Sequence, residues 1–196
     1  MVEHEGKPLV PPEVVSQLGK RKSVRIALIK EYDTKPEVLL TTEEKGIIYH
    51  SLPGGKVDPG EYIGDTSIDE AFATALAREL EEELGLSKER FFENVRNLVT
   101  YFDFAILTKF NQANPLSEIV FYALLPNESL ERLNLGGQKD EKIIKYDWFS
   151  LNEVIGNYRI EDQTQVPPEG VFVFVDNHIP GILERLAEKL SDQKSN

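Results

Sequence analysis

Apolar residues recur at every second position in several short segments, which is the pattern of half-buried β-strands. The turn sequence DTKP at residues 33–36 separates the first two segments, so we predict that these two strands form a hairpin. A third strand leads into the Pro-Gly-Gly sequence at residues 53–55. The predicted strands cover residues 23–32, 37–42, 47–52, 95–107, 118–125, 143–149 and 171–175.

Residues 68–84 form a nearly unbroken run of helix-forming residues. Ser67 and Glu70 make an S-x-x-E capping box at the start of this run, and Gly85 stands where a helix C-cap belongs. Two further helices are predicted at residues 151–154 and 180–190. We expect the last helix, which is amphipathic, to close the domain; a contact between the two subunits of a homodimer is the alternative.

The order of these elements divides the chain into three parts. Residues 1–22 form a proline-punctuated N-terminal arm, which we expect to be loosely attached or to add an edge element. Residues 23–160 form the main domain. Residues 161–196 form a C-terminal extension that ends in a helix packed on the same domain. A length of 196 residues suits one domain with an appended element.

Composition and charge narrow the class of protein. The formal net charge of −12 argues against a nucleic-acid polymer as partner, because binding one requires a basic surface. No apolar run approaches the length of a membrane span, and the first residues lack the pattern of a secretory signal. The chain has no cysteine, so a thiolate metal site and a cysteine nucleophile are excluded. We therefore expect a cytoplasmic protein that does not bind membranes.

Three glutamates of the predicted helix at 68–84 share one face. At about 100° per residue, Glu79, Glu82 and Glu83 fall within an arc of about 100°, beside the apolar stripe that faces the core. Like charges at this spacing destabilise a helix unless cations neutralise them. Clusters of carboxylate oxygens suit Mg²⁺. A solvated surface of glutamates is the alternative, and it is the one we expect for Glu81, on the far side of the helix.

Two segments resemble the two halves of the Nudix box, G-x5-E-x7-R-E-U-x-E-E-x-G-U, in which U is an aliphatic residue. The sequence LPGGKVDPGE at residues 52–61 resembles the first half, and ARELEEELGL at residues 77–86 fits the second half without a mismatch. The chain thus resembles the Nudix hydrolase superfamily. This resemblance implies an α+β fold, the Nudix α/β/α sandwich, with a mixed β-sheet between helices.

The spacing between the two halves departs from the Nudix pattern. Glu70 satisfies the written spacing to Gly64 and Arg78, whereas Glu61 satisfies the familiar loop but is separated from Arg78 by sixteen residues instead of seven. On a continuous helix, Glu70 points about 180° away from the acidic arc. We therefore favour Glu61, with residues 62–70 as an insertion, over Glu70 as the remaining glutamate of the box.

The resemblance also implies a metal site. Glu79, Glu82 and Glu83 would bind Mg²⁺, or alternatively Mn²⁺, and the carbonyl oxygen of Gly54 would add a ligand. Arg78 would orient the glutamates, and Glu82 counts among the catalytic residues as well as the metal ligands. The metal would neutralise the diphosphate and activate water.

Further roles follow from the same resemblance. Glu61 would support the site or a metal-bound water. In many members a carboxylate before the last core strand acts as the base; Asp140 and Glu141 lie there, and we favour Glu141, with a solvated turn carboxylate as the alternative. Gly55 is expected to lie against the substrate. Tyr101 occupies a position where dinucleoside polyphosphate hydrolases stack an aromatic ring on a base, although a core role for an alternating strand residue is the alternative.

Taken with its intact glutamates, the chain is expected to be a Nudix pyrophosphohydrolase. It would cleave the diphosphate linkage of a small nucleoside diphosphate derivative, by attack of metal-activated water on phosphorus. The alternative is a catalytically weak Nudix module that binds or senses a nucleotide. An isopentenyl diphosphate isomerase, also built on this fold, would require a catalytic cysteine. His50 and His178 do not lie at metal-ligand spacing.

Overall fold

The computed structural model describes residues 8–30, 35–44, 48–62, 66–107, 115–127, 133, 135, 143–160, 171–174 and 178–194. The strands are β1 (Arg21–Lys30), β2 (Glu37–Glu44), β3 (Ile48–Ser51), β4 (Val99–Leu107), β5 (Leu116–Leu125), β6 (Ile143–Ser150), β7 (Tyr158–Ile160) and β8 (Phe172–Phe174). The α-helices are α1 (Pro12–Val15), α2 (Ile68–Leu84), α3 (Lys88–Asn94), α4 (Leu151–Gly156) and α5 (His178–Lys194). Short 3-10 turns cover Pro59–Tyr62 and Arg96–Leu98.

A mixed sheet forms the centre of the molecule, with the strand order β3-β2-β1-β5-β4 and with β6 paired to β2. Strand β1 is parallel to β5 and antiparallel to β2, while β4 is antiparallel to β5. The pairing of Ile29 with Val38 joins β1 to β2 as the predicted hairpin requires. The parallel register sets Ser23 opposite Glu118. Polar residues from distant parts of the chain are therefore neighbours in the centre of the sheet.

Helices cover both faces of this sheet because the strands alternate their apolar residues between two cores. On one face, Val24 and Ile26 pack in a cluster with Leu76 and other residues of α2. On the other face, Ile29 packs in a cluster with Leu183 and further residues of α4 and α5. The predicted α+β class, an α/β/α sandwich with a mixed sheet, is confirmed.

Helix α2 begins and ends where the sequence predicts. The hydroxyl of Ser67 accepts a hydrogen bond from the backbone N–H of Glu70 at 3.2 Å and caps the first turn. Gly85 adopts the left-handed conformation with φ of 71° and ends the helix. Because α2 is one continuous helix, the positions of its glutamates around the helix axis follow from their spacing along the chain.

The N-terminal arm is held more firmly than we expected. Leu9, Val10 and Val14 are buried in the same core as α2. The carboxylate of Asp69 accepts hydrogen bonds from the backbone N–H groups of Leu9 and Val10, at 2.9 and 3.2 Å. The expectation of a loosely attached arm is therefore wrong for this segment. The domain accepts hydrogen bonds from its backbone N–H groups and buries its apolar side chains.

The predicted strand at 95–107 is too long by four residues. Helix α3 starts after Ser87, whose hydroxyl accepts from the N–H of Arg90 at 3.4 Å, and a 3-10 turn follows it. Strand β4 begins only at Val99. Val95 is apolar because it is buried in the helical connection before β4, and not because it lies in a strand.

The C-terminal helix is longer than the predicted 180–190 and packs its apolar side against the sheet. The bounds of the three parts of the chain stay predictions. Over the ranges that the structure describes, there is no helix with the length and apolar character needed to cross a membrane. The homodimer and the cytoplasmic location also stay predictions.

Candidate active site

The Pro-Gly-Gly loop runs along the edge of β1 and is fixed there by backbone hydrogen bonds. The N–H of Val24 donates to the carbonyl of Gly55 at 2.8 Å, and the N–H of Ile26 donates to that of Pro53 at 3.0 Å. Ser23 and Lys56 add an antiparallel bridge. The loop is thus held along β1 by backbone hydrogen bonds of the kind that join two strands.

A side chain at either glycine of the loop would meet a close neighbour, which is backbone at Gly54 and the end of a side chain at Gly55. Gly54 has a φ of 132°, and a Cβ atom on it would lie 2.2 Å from the carbonyl oxygen of Val24. A Cβ atom on Gly55 would lie 2.4 Å from a carboxylate oxygen of Glu79. The first glycine lets the loop lie against β1, and the second lets helix α2 bring a glutamate against the loop.

Glu83 is the most deeply buried glutamate of the acidic arc, with 5% of its surface exposed. Its Oε2 atom accepts a hydrogen bond from the N–H of Gly54 at 2.9 Å. Burial raises the pKa of Glu83 to about 8, although Arg25 and the Gly54 hydrogen bond oppose the rise; the neighbouring Glu79 adds to it. The positive charge near Glu83 is therefore too small to offset the effect of burial on its ionised form.

Arg78 connects the loop with the helix glutamates. It donates from Nη1 to Glu79 at 2.7 Å, from Nε to Glu61 at 3.1 Å and from Nη2 to the carbonyl of Lys56 at 2.7 Å. Burial alone would lower the pKa of Arg78, but the bonds to Glu61 and Glu79 outweigh it and raise the pKa. The guanidinium fork thus holds both carboxylates in place.

The remaining two helix glutamates differ in exposure. Burial raises the pKa of Glu79, against the opposing effect of Arg78. The side chain of Glu82 is 45% exposed and lies 3.6 Å from a nitrogen of Arg78. The arc therefore presents carboxylates from a buried end at Glu83 to a solvent-facing end at Glu82.

Glu61 and Glu70 occupy very different places. Glu61 lies on the 3-10 turn that follows the loop, where its Oε2 accepts from the N–H of Asp58 at 2.7 Å while its Oε1 faces Arg78. Glu70 is exposed in the first turn of α2, at the cap made by Ser67. The structure brings Glu61, and not Glu70, into contact with the arginine of the box.

Two charged residues beside the loop were not found by sequence reasoning. Arg25 donates to the carbonyl oxygens of Leu52 and Gly54, at 2.9 and 2.8 Å. Glu118, on the neighbouring strand, accepts from Arg25 at 3.3 Å. The available signal was a single charge within each of two otherwise apolar strand segments, VRIALI and EIVFYALL. Such a charge is buried only when it is paired.

The family model described as the NUDIX domain matches residues 19–168, which is more than half of the chain. This chain belongs to the NUDIX domain family. The predictions of a Nudix protein and of an enzyme of the Nudix pyrophosphohydrolase class are thereby confirmed. No curated protein matches the chain in a sequence comparison.

Solved structures show the same fold at low identity. A Caenorhabditis elegans Ap4A hydrolase in a binary complex is 17% identical, with a TM-score of 0.54, over 87% of this chain and 98% of that one. The NUDIX domain of Shewanella oneidensis NrtR, complexed with ADP ribose, is 15% identical, with a TM-score of 0.55, over 92% and 94%. A mutT/nudix family protein from Listeria innocua is 17% identical, with a TM-score of 0.51, over 89% and 96%. At these identities the likeness concerns the fold alone.

Nudix hydrolases generally use divalent cations, and the donor set of this chain fits such an ion. Among the residues that the structure describes, no three acidic or histidine side chains already converge as a metal cage. Arg78 takes one oxygen of Glu79, and the N–H of Gly54 takes one of Glu83. Yet burial raises the pKa of both glutamates, so a divalent cation between them would relieve an existing deficit of positive charge.

Three other expected residues of the Nudix site have different outcomes. Asp140 and Glu141 lie outside the described residues, so the base stays a prediction. Tyr101 lies on β4, opposite Phe121 of β5, and is half-buried against the core on the α2 side. Burial raises the pKa of Tyr101, as does the nearby Asp103. This position matches the alternative of a core tyrosine more closely than that of a fully exposed stacking platform.

The two histidines also differ in what they contact. The Nδ1 atom of His50 accepts from the N–H of Val173 at 3.2 Å, and its ring packs against Phe149 and Phe172. Burial lowers the pKa of His50. His50 is therefore a core histidine, whereas His178 forms a hydrogen bond with the buried Glu118.

Proposed function

We propose that this Nudix protein is a magnesium-dependent hydrolase that cleaves the diphosphate linkage of a small nucleoside diphosphate derivative. The observation that carries the proposal is the seating of Glu79 and Glu83 against the Gly54–Gly55 loop. One glycine donates its N–H to Glu83, and the other leaves room for Glu79. The products would be a nucleoside monophosphate and a second phosphate-bearing fragment, formed by addition of water across the anhydride.

The metal would be held by Glu79, Glu82 and Glu83, with the Gly54 carbonyl as a further ligand and with Mn²⁺ as a possible substitute for Mg²⁺. The carbonyl oxygen of Gly54 accepts one hydrogen bond from Arg25 and keeps a second lone pair. When bound, the ion would neutralise the diphosphate, lower the pKa of water and stabilise charge on the leaving oxygen. The carboxylates of Glu79, Glu82 and Glu83 would repel a diphosphate, so a cation between them and the phosphates would be needed.

The protein side chains would orient the reacting groups. Arg78 would hold Glu79 and Glu61 in fixed directions through its ion pairs with these two carboxylates. Glu61 would support the site or the attacking water from the loop side. We propose Glu141 as the base that takes the proton from this water, and Gly55 as the backbone position that lies against the substrate.

The substrate class is proposed as a nucleotide carrying a phosphoanhydride. The names of two structural neighbours, an Ap4A hydrolase and a NUDIX domain complexed with ADP ribose, support this class. Tyr101 is proposed to contact the base if the substrate is a dinucleotide. The alternative function, a nucleotide-binding or sensing module of weak activity, is also supported by the neighbour that holds ADP ribose.

The proposal is tested with purified protein, Mg²⁺ and a panel that contains ADP-ribose, Ap4A and other nucleoside diphosphate derivatives. Glu82→Gln should lower kcat by about a hundredfold, because it removes a carboxylate from the metal site. Glu81→Gln, one position away on the helix, is the matched control and should keep near wild-type turnover. The turnover of both variants is measured by chromatography of the products.

Two results would contradict parts of this proposal. Turnover of no substrate in the panel, with ADP-ribose or Ap4A binding detected by calorimetry, would favour the sensing module. Equal turnover by the wild type and Glu82→Gln would remove this carboxylate from the site.

A further inference from the structure

A buried polar contact ties the first residue of helix α5 to the centre of the sheet. The Nε2 atom of His178 lies 2.5 Å from the Oε1 atom of Glu118. Since an ionised carboxylate only accepts hydrogen bonds, Nε2 is the donor. The side chain of Glu118 is 4% exposed and that of His178 is 17% exposed, so little of this contact faces water.

The other oxygen of Glu118 faces the strand that carries the Pro-Gly-Gly loop. Its Oε2 atom accepts from the hydroxyl of Ser23 at 3.2 Å and from Nε of Arg25 at 3.3 Å. Burial alone would raise the pKa of Glu118, but the bond from His178 and the charge of Arg25 bring it down to about 2. The carboxylate is therefore ionised and has donors on both oxygens.

Arg25 carries the connection to the loop itself. Its Nη1 atom donates to the carbonyls of Leu52 and Gly54, on either side of Pro53. The Gly54 N–H, in turn, donates to Glu83. One continuous series of charge-assisted hydrogen bonds thus leads from α5, across β5 and β1, to the loop that contacts the helix glutamates.

We propose that His178 is a positioning residue of the hydrolase site, acting through Glu118 and Arg25 on the loop at residues 52–57. The proposal rests on the proposed function. His178 lies beyond residues 19–168, the segment matched by the NUDIX family, so it would make the C-terminal helix part of the catalytic unit. Without the hydrogen bond from His178, the carboxylate of Glu118 can turn away from Arg25, and the guanidinium is then free to release the two loop carbonyls.

Docking of α5 does not by itself require this histidine. Ile179, Ile182 and Leu183 are buried in the core on the α5 side of the sheet, and Arg185 makes a separate ion pair with Asp103 of β4. That second ion pair is exposed and is made by a different strand from those that hold the loop. It offers a matched control, because its loss weakens a polar contact of α5 without touching the series that ends at Gly54.

The test compares His178→Ala with His178→Gln, which retains a donor, and with the control Arg185→Gln. Three measurements are made on the full chain: amide hydrogen exchange of the loop peptide, titration with Mn²⁺ alone, and kcat and KM on a substrate found in the panel. If His178→Ala fails to fold, His178→Leu takes its place, because it keeps the side-chain volume and cannot donate.

We expect His178→Ala to speed exchange of the Gly54 amide by about tenfold, the size expected for loss of one charge-assisted hydrogen bond. Mn²⁺ affinity and kcat should fall by about the same factor while KM stays within about twofold, since the substrate contacts remain. His178→Gln should restore most of each loss, and Arg185→Gln should leave all three near wild type.

Unchanged exchange and Mn²⁺ affinity in His178→Ala would overturn the proposal, as would an equal loss in Arg185→Gln. The exchange and metal measurements do not depend on any substrate. A protein without hydrolase activity but with faster loop exchange in His178→Ala would therefore keep the connection and reject only the proposed function.

Discussion

Glu118 should make the stability of the folded protein fall in acid in a way that one substitution can isolate. Its pKa is about 2 in the folded protein, against an ordinary value of 4.5. Burial acts in the opposite direction, so the depression comes from the donors, chiefly His178 and Arg25. Folding therefore favours the ionised carboxylate. The stabilisation is complete above the ordinary pKa and is lost as the pH falls toward 2.

The size of the effect follows from the two pKa values. A difference of about 2.5 between them corresponds to about 3 kcal/mol of unfolding free energy at neutral pH. Of this, about 2 kcal/mol should disappear between about pH 5.5 and pH 3, because that interval covers most of the distance between the two values. Glu118→Gln removes the titration and leaves the shape of the side chain.

The measurement is urea unfolding of wild type and Glu118→Gln at several pH values, with linear extrapolation to water. The wild type should be the more stable by about 3 kcal/mol at neutral pH, and this advantage should shrink by about 2 kcal/mol at about pH 3. Glu188→Gln, an exposed position on α5, is the control and should show no such trend. A stability difference that stays constant within about 0.5 kcal/mol, or that grows in acid, would refute the assignment of Glu118 as a buried, paired carboxylate.

Three further outcomes are expected. Glu61→Gln should lower kcat by about tenfold or more, because Glu61 contacts the arginine of the box, whereas Glu70→Gln should change kcat by less than about twofold. Steady-state kinetics in which Glu70→Gln has the larger loss of kcat would support the literal Nudix spacing. Gly54→Ala should lose at least about 2 kcal/mol of stability, measured by urea unfolding, since its Cβ would lie 2.2 Å from the carbonyl oxygen of Val24; an unchanged midpoint would contradict the close approach. Tyr101→Ala should raise KM for Ap4A at least about fivefold if the ring stacks on a base; an unchanged KM with lowered stability would assign it to the core.

Local patterns predicted the elements that depend on neighbouring residues. Helix α2 has the predicted bounds because both of its caps, at Ser67 and Gly85, are made within the same few residues. The strand at 95–107 was overextended because Val95, which is buried, and Leu98, which is partly buried, give the same apolar signal in a strand and in a helical connection. Helix α3 was missed because it has a single buried residue, Phe91, and one residue cannot show the repeat of apolar positions that is typical of a helix.

Burial of the N-terminal arm could not be read from its sequence. Prolines precede Leu9 and separate Val10 from Val14, and the three apolar residues show neither strand nor helix period. Their burial depends on Asp69, sixty residues away, whose carboxylate accepts from the arm. A contact of that range is set by the packed fold and leaves no mark in the local pattern.

The sequence by itself determined the helix, the arc of Glu79, Glu82 and Glu83, and the glycines of the loop, because these follow from the helical period and from spacing along the chain. Only the tertiary structure decided which other side chains meet them. Glu61 faces Arg78 because the loop is paired to β1. Arg25 reaches the loop beside Glu118 because β1 and β5 are parallel neighbours, and α5 adds its histidine from the far end of the chain. Such contacts are set by strand pairing and helix docking, which no local pattern encodes.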